Sequence, residues 1–204
     1  MWPPSPELTD HPDRRRWNAR YGGNYAATFR PHPLAAEALR LALGAGPVLE
    51  LAAGPSGSAL LAAAAGHPVT VIDISDAGLG LLAVEASRRG VAERLALVHA
   101  DLARWAPGAD RYALVLCTNF WERAVFDAAL RAVAADGLLA WESLTEAARE
   151  GRPQLPAQWC VGPGEPASLL PPEFDVIDQH DVPGQPGQPP MRRQLLARRR
   201  RAPS

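Results

Sequence analysis

The chain has 204 residues, 47% of them hydrophobic, and a formal net charge of −1 at pH 7. That length suits one α/β domain with terminal extensions and a sizeable core. The near-zero charge gathers neither nucleic acid nor an anionic membrane, and two lone cysteines, Cys117 and Cys160, exclude a Cys-x-x-Cys site or a disulfide framework.

All 21 basic residues are arginine, a compositional bias and not a functional sign. No apolar run has the length of a membrane span and no charged-then-apolar leader is seen. A soluble, cytoplasmic protein without a metal is expected, as a monomer or homodimer. Residues 1–12 hold Pro3, Pro4, Pro6 and Pro12 and predict a loose tail. Residues 13–198 form the single domain: a helical cap over 13–44, a ligand-binding core over 45–145, and substrate-side loops with a hairpin over 146–198. Residues 199–204 are a basic tail.

Asp13–Tyr21, DRRRWNARY, sets Trp17 and Tyr21 one helical turn apart and predicts a short amphipathic helix. Its aromatics either cap the core or close over a ligand. Pro33 opens a second helix to about Leu43, ended by Gly44 and Gly46. Val48–Ser58, VLELAAGPSGS, then reads as a buried strand, a tight turn of small residues and a helix opening. Small side chains let a ligand approach the backbone, and the first amides of a helix point at it. Val69–Ile74 is a β-branched strand ending at Asp73, followed by a helix from Asp76 to about Arg89. Leu95–His99 is a third strand, followed by Asp101. Tyr112–Cys117 is a fourth; Glu122–Ala135 is a helix closed at Asp136-Gly137; Leu138–Trp141 is a fifth strand, leading to Glu142. Strands alternating with helices predict a doubly wound, Rossmann-like, mostly parallel seven-stranded sheet. Phe174–Asp181 and Met191–Arg198, joined by the Pro/Gly loop Pro183–Pro190, predict an antiparallel hairpin at its end.

Glu50, Asp73 and Asp101 follow three successive parallel strands, so all three carboxylates reach one edge of the sheet. An acid after the second strand accepts ribose hydroxyls. One after the third accepts the amine of adenine while Leu102 packs on the ring. Glu50 suits an ammonium and opposes a phosphate. On the residues alone, a dinucleotide and an adenosyl amino acid both remain open, with only Gly54 and Gly57 left of a G-x-G-x-x-G pattern.

The segments VLELAAGPSG, VTVIDIS, VHADLARW, YALVLCTNFW and GLLAWES, over roughly residues 45–145, resemble the class I S-adenosylmethionine-dependent methyltransferases. RRRWNARY, the FRPH of Phe29–His32 and the C-terminal Pro-Gly-Glu before a hairpin are similar to the small tellurite-resistance and thiopurine-like subgroup. The resemblance implies S-adenosylmethionine as cofactor and S-adenosylhomocysteine as product. Glu50, Ala52, Gly54 and Gly57 would line its methionine end; Asp73 would hold the ribose, with Ile74 against adenine; Asp101 and Leu102 would bind adenine. Thr118, Asn119 and Phe120 would lie beside the sulfonium. The sequence departs from the pattern where Ala52 and Ser56 replace glycines, where Ala113 replaces an aspartate, and where the tellurite-resistance His-Arg pair is missing.

Arg30 is a candidate for the cofactor carboxylate through its forked donors. Trp17, Tyr21, Trp121 and Trp159 are candidates for an aromatic wall around a small-molecule acceptor. His180 and Glu142 are the candidate general bases. Two rivals share the fold: an NAD-dependent oxidoreductase, and a methyltransferase-like subunit that binds a partner without catalysis.

Overall fold

The computed structural model describes residues 6–42, 44, 46–150, 152–182 and 191–201. Eight strands form one sheet: β1 (Val48–Leu51), β2 (Val69–Asp73), β3 (Leu95–His99), β4 (Tyr112–Cys117), β5 (Val133–Thr145), β6 (Cys160–Val161), β7 (Phe174–Val182) and β8 (Arg192–Arg199). Their order is β3-β2-β1-β4-β5-β8-β7, with the two-residue β6 pairing with β5 off this path. β1 through β5 are parallel, and β8 and β7 close the sheet antiparallel. The chain steps outward from β1 to β3, then returns to lay β4 on the other side of β1. That reversal opens a crevice at the carboxyl ends of β1 and β4, where open α/β sheets bind ligands.

Successive strand residues face opposite sides, and each side carries its own core. Val48, Val71, Leu114, Leu116, Leu138 and Ala140 meet α2 (Pro33–Leu41), α3 (Gly57–Ala64) and α4 (Asp76–Arg88). Leu49, Leu51, Val115, Leu139 and Trp141 meet α5 (Arg123–Ala132) on the other side. Trp141 is fully buried, with Phe126 at 5.1 Å and Trp121 at 6.2 Å between ring centroids. Truncating such a side chain costs about 3–5 kcal/mol.

Three boundaries differ from expectation. Residues 1–12 are not all tail: Pro6–Leu8 make a 3-10 turn with Leu8 buried, and Pro12 is the first residue of α1 (Pro12–Tyr21). Proline suits that position because it lacks only an amide that the helix leaves unpaired. The helix expected to run to Ala135 stops at Ala132. Asp136, at φ +63°, instead forms an irregularity at which β5 shifts register against β4. The basic end is tied down: Arg199 lies within β8 and pairs with Asp110, Arg200 with Asp175 and Arg201 with Asp136. Residues 1–5, the loop 183–190 and residues 202–204 lie outside the described residues.

Candidate functional site

The site is built on the turn after β1. Ala52 and Gly54 adopt left-handed backbone, at φ +50° and +55°. Ser56 then caps α3, its Oγ accepting from the amides of Ser58 and Ala59 at 3.0 Å each. The same hydroxyl lies 2.7 and 2.8 Å from the two oxygens of Glu50, so it donates to that carboxyl. Glu50 is buried; desolvation pushes its pKa up to about 7, with Ser56 opposing the rise. Asp73, at the end of β2, fixes the same turn. Its Oδ2 accepts from the Gly54 amide and its Oδ1 from the Ser75 amide, both at 2.7 Å. Burial also raises its pKa, against those hydrogen bonds. A carboxylate oxygen has two acceptor sites, so each Asp73 oxygen keeps one for a ligand.

Helix α1 lies along the carboxyl ends of β3, β2 and β1. Near its start, His11 Nε2 stands 3.8 Å from Asp101 Oδ2. In the middle, Asn18 accepts from Ser75 Oγ at 2.6 Å and donates to Asp76 at 2.7 Å, and Arg14 clamps the same Asp76 at 2.7 and 3.1 Å. Desolvation works against the Asp76 carboxylate, but these bonds outweigh it and hold its pKa below the ordinary range. At the end, the Tyr21 ring packs on Gly78 and its hydroxyl stands over Gly54. Burial, and then the Asp73 charge, push the Tyr21 phenol up to about 12, so it stays a neutral donor. Trp17 stacks on Tyr21 at 5.7 Å, and the Arg16 guanidinium sits 5.3 Å from Trp17 and 5.2 Å from the half-exposed Trp159.

The structure thus brings Glu50, Ala52, Gly54, Asp73, Asp101, Trp17 and Tyr21 to one crevice. Trp159 joins them through Arg16. Ile74 lies on its rim, with its carbonyl taken by His99 Nε2 at 3.0 Å. Leu102 packs partly against the α5-side core. After β4, Thr118 is half-buried; Asn119 is exposed at φ +58°; the Phe120 carbonyl accepts from Trp141 Nε1 and Ser143 Oγ.

Four assignments need correction. Trp121 is a core residue against Phe126 and Trp141, not an open wall. Gly57 faces the Phe29 and Arg30 backbone, which a Cβ would strike, so its smallness serves chain packing and not ligand approach. Arg30 is exposed on that segment and has no charged partner among the described residues. His180 lies on the edge strand β7, two strands beyond Glu142, half-exposed and 2.5 Å from Asp178; among the described residues its side chain bonds to no site residue, although its backbone sits opposite Gln194.

Glu142 occupies the expected place but lacks the expected chemistry. It is 2% exposed, where β5 runs one residue past the last β4 pairing. Its Oε2 accepts from Gln194 at 2.7 Å and lies 3.2 Å from His32 Nε2. Burial would raise its pKa, but these two partners and Arg192 outweigh it and the net shift is downward, so the group is a weak base. His32 is not a free base either, because its Nδ1 caps α2 by accepting from the Leu34 amide. Asn18, Ser56, His32, Gln194 and Arg192 carried no sequence signal as site residues. Only the Ser56 cap was accessible in principle, from a serine just before a helical run.

The family described as "Methyltransferase domain" matches residues 48–137. That span holds β1 to the start of β5, the portion that carries Glu50, Asp73 and Asp101. Over residues 48–137 the chain carries a methyltransferase domain. Three solved structures show the methyltransferase fold over most of the chain. One comes from work on converting a disulfide bond into a thioacetal group during echinomycin biosynthesis: 17% identity, 92% of this chain and 91% of the other, TM-score 0.67. TehB from Haemophilus influenzae shares 13% identity over 92% of this chain and 67% of its own, TM-score 0.66. The N-methyltransferase NodS from Bradyrhizobium japonicum WM9, in complex with S-adenosylhomocysteine, shares 14% over 91% and 97%, TM-score 0.66. No curated protein matches the sequence.

A methyltransferase domain on this fold implies S-adenosylmethionine as the cofactor, and the residues present fit it. Asp73 holds spare acceptor sites, Glu50 is a buried carboxyl that a cation would ionise, and the Ala52–Gly54 turn presents no bulky side chain. Among the described residues no helix is long and apolar enough to cross a membrane, and no cluster of ligating side chains for a metal ion is found.

Proposed function

We propose that this methyltransferase moves a methyl group onto a small-molecule nucleophile by in-line attack, with the acceptor entering beside Thr118–Phe120. The bound cofactor supplies a methyl group on a positively charged sulfur, a leaving group that needs no acid. The chain's own residues then bind, align and exclude water. Asp73 accepts the ribose hydroxyls, Glu50 faces the ammonium, and Asp101 with Leu102 takes the adenine. Tyr21 and Trp17 roof the crevice.

The observation that carries this reading is the joining of Glu50 and Asp73 through one turn, beneath Tyr21. Ser56 ties Glu50 to the α3 start and the Gly54 amide ties the turn to Asp73. Glu142 is a weak base and His180 lies two strands away, which agrees with a reaction driven by alignment. A small acceptor is favoured by the net charge of −1 and by the pairing of the C-terminal arginines within the fold.

The test is label transfer from S-adenosyl-[methyl-³H]methionine in a cell extract divided by ultrafiltration. The proposal expects label in the low-mass filtrate. Label confined to retained protein or nucleic acid overturns the small-molecule assignment.

A further inference from the structure

Glu142 has one oxygen that the fold leaves unsatisfied. Its Oε1 is buried and has no hydrogen-bond partner among the described residues, whereas Oε2 is held by Gln194 with His32 alongside. Buried polar atoms in folded chains nearly always have a hydrogen-bond partner, so a carboxylate oxygen left without a donor calls for one. The nearest cation is Arg192, whose Nε stands 3.5 Å from Oε1, an ion pair without a hydrogen bond. That same Nε donates instead to Asn119 Oδ1 at 2.8 Å. Arg192 is 45% exposed on its side chain, so it is a cover held by one surface bond. Asn119 is in left-handed backbone directly after β4, the place assigned above to the acceptor. A hydrogen-bonded path also joins this cluster to the cofactor turn. His32 donates its amide to Ser58 Oγ at 2.9 Å, and the Ser58 amide donates to Ser56.

We propose that the methyl acceptor is an amine, and that Glu142 Oε1 receives its N–H in the position the Arg192 guanidinium covers. This rests on the methyltransferase reading above and deepens it. The chemistry of the nucleophile selects the class. A thiol or phenol attacks as its anion, which has no proton to donate and is repelled by an ionised carboxylate. A neutral primary or secondary amine attacks through its lone pair while keeping an N–H for Glu142. The N–C bond forms as the S–C bond breaks, the electron pair of the latter stays on sulfur, and positive charge passes from sulfur to nitrogen. A fixed carboxylate beside that nitrogen favours the transfer. The ammonium product then releases its proton to water. Glu142 is therefore a specificity-determining residue and not the base.

Two measurements decide it. In the first, the enzyme with labelled cofactor meets a panel of primary and secondary amines, phenols and thiols. Amines are labelled, and Glu142→Gln lowers kcat/KM for them at least tenfold while S-adenosylhomocysteine binding is unchanged. Labelling of phenols or thiols alone, or amine turnover indifferent to Glu142→Gln, overturns the proposal. In the second, Arg192→Ala uncovers Oε1 in the S-adenosylhomocysteine complex. Methylammonium then raises the melting temperature of Arg192→Ala, and neither acetate nor methanol does; the double variant with Glu142→Gln does not respond. Equal response to acetate or methanol, or none to methylammonium, overturns it, and this arm decides if no panel member is labelled. Absence of S-adenosylhomocysteine binding to the unaltered protein would instead remove the methyltransferase reading itself.

Discussion

The hydroxyl of Tyr21 stands 2.6 Å from where a Cβ on Gly54 would lie. The last turn of α1 and the turn after β1 are thus closed on each other with room for hydrogen only. Gly54 meets two demands at once, left-handed backbone at φ +55° and this close approach. Gly54→Ala is expected to cost about 1–2 kcal/mol from the backbone alone and to push Tyr21 off the crevice. Calorimetry should record at least tenfold weaker S-adenosylhomocysteine binding. Unchanged affinity would separate Tyr21 from the cofactor.

Glu50 gives a pH prediction. Its pKa rises from 4.5 in the unfolded chain to about 7 in the fold. Between those values the folded protein binds the extra proton, so stability falls as pH rises through that window and the full cost, about 3 kcal/mol, stands above pH 7. Glu50→Gln removes the ionisation. Chemical denaturation should find the variant more stable than the parent at pH 8, with a flatter profile between pH 4.5 and 7. The same variant should lose the rise in S-adenosylhomocysteine affinity that the parent shows between pH 6 and 8, as Glu50 ionises opposite the ammonium.

Arg16 lies between Trp17 and Trp159 and joins α1 to the 3-10 turn Ala157–Trp159. Exposed cation–π contacts contribute about 0.5–1 kcal/mol each. Trp159→Ala should therefore leave the global melting temperature within a few degrees of the parent while α1 amides exchange faster. Hydrogen exchange resolved by peptide separates the two effects. Uniform exchange changes across the sheet would mean that Trp159 supports the core instead.

The sheet was legible because its signals are local. β-branched runs such as Val69–Ile74 are bounded by turns, and the Glu50, Asp73 and Asp101 positions follow directly from strand ends. Ala52 shows where that reading thins. Its φ of +50° is the conformation the absent glycine would have taken, so the backbone is preserved at a cost that composition does not reveal. Trp121 and His180 were misplaced because sequence gives no distance from the crevice. The former turns inward onto Phe126, and the latter is carried away by the insertion of β8 between β5 and β7. The Glu142 cluster was half visible. Glu142 follows the apolar run Leu138–Trp141, but β5 continues past it to Thr145, and its partners His32, Gln194 and Arg192 come from a helix cap and an antiparallel strand whose register only folding fixes.

Cofactor binding depends first on Asp73 receiving the ribose hydroxyls with the acceptor sites left by Gly54 and Ser75. Hydrogen bonds to charged groups contribute about 1.5–3 kcal/mol each, so two of them set a loss of roughly a hundredfold or more. The direct measurement is calorimetric titration of S-adenosylhomocysteine and its 2′,3′-dideoxy analogue into the parent and into Asp73→Asn. The parent should bind the analogue at least a hundredfold more weakly, and that deficit should largely vanish in Asp73→Asn. An analogue that binds the parent as well as S-adenosylhomocysteine does, or a deficit undiminished in the variant, would contradict it.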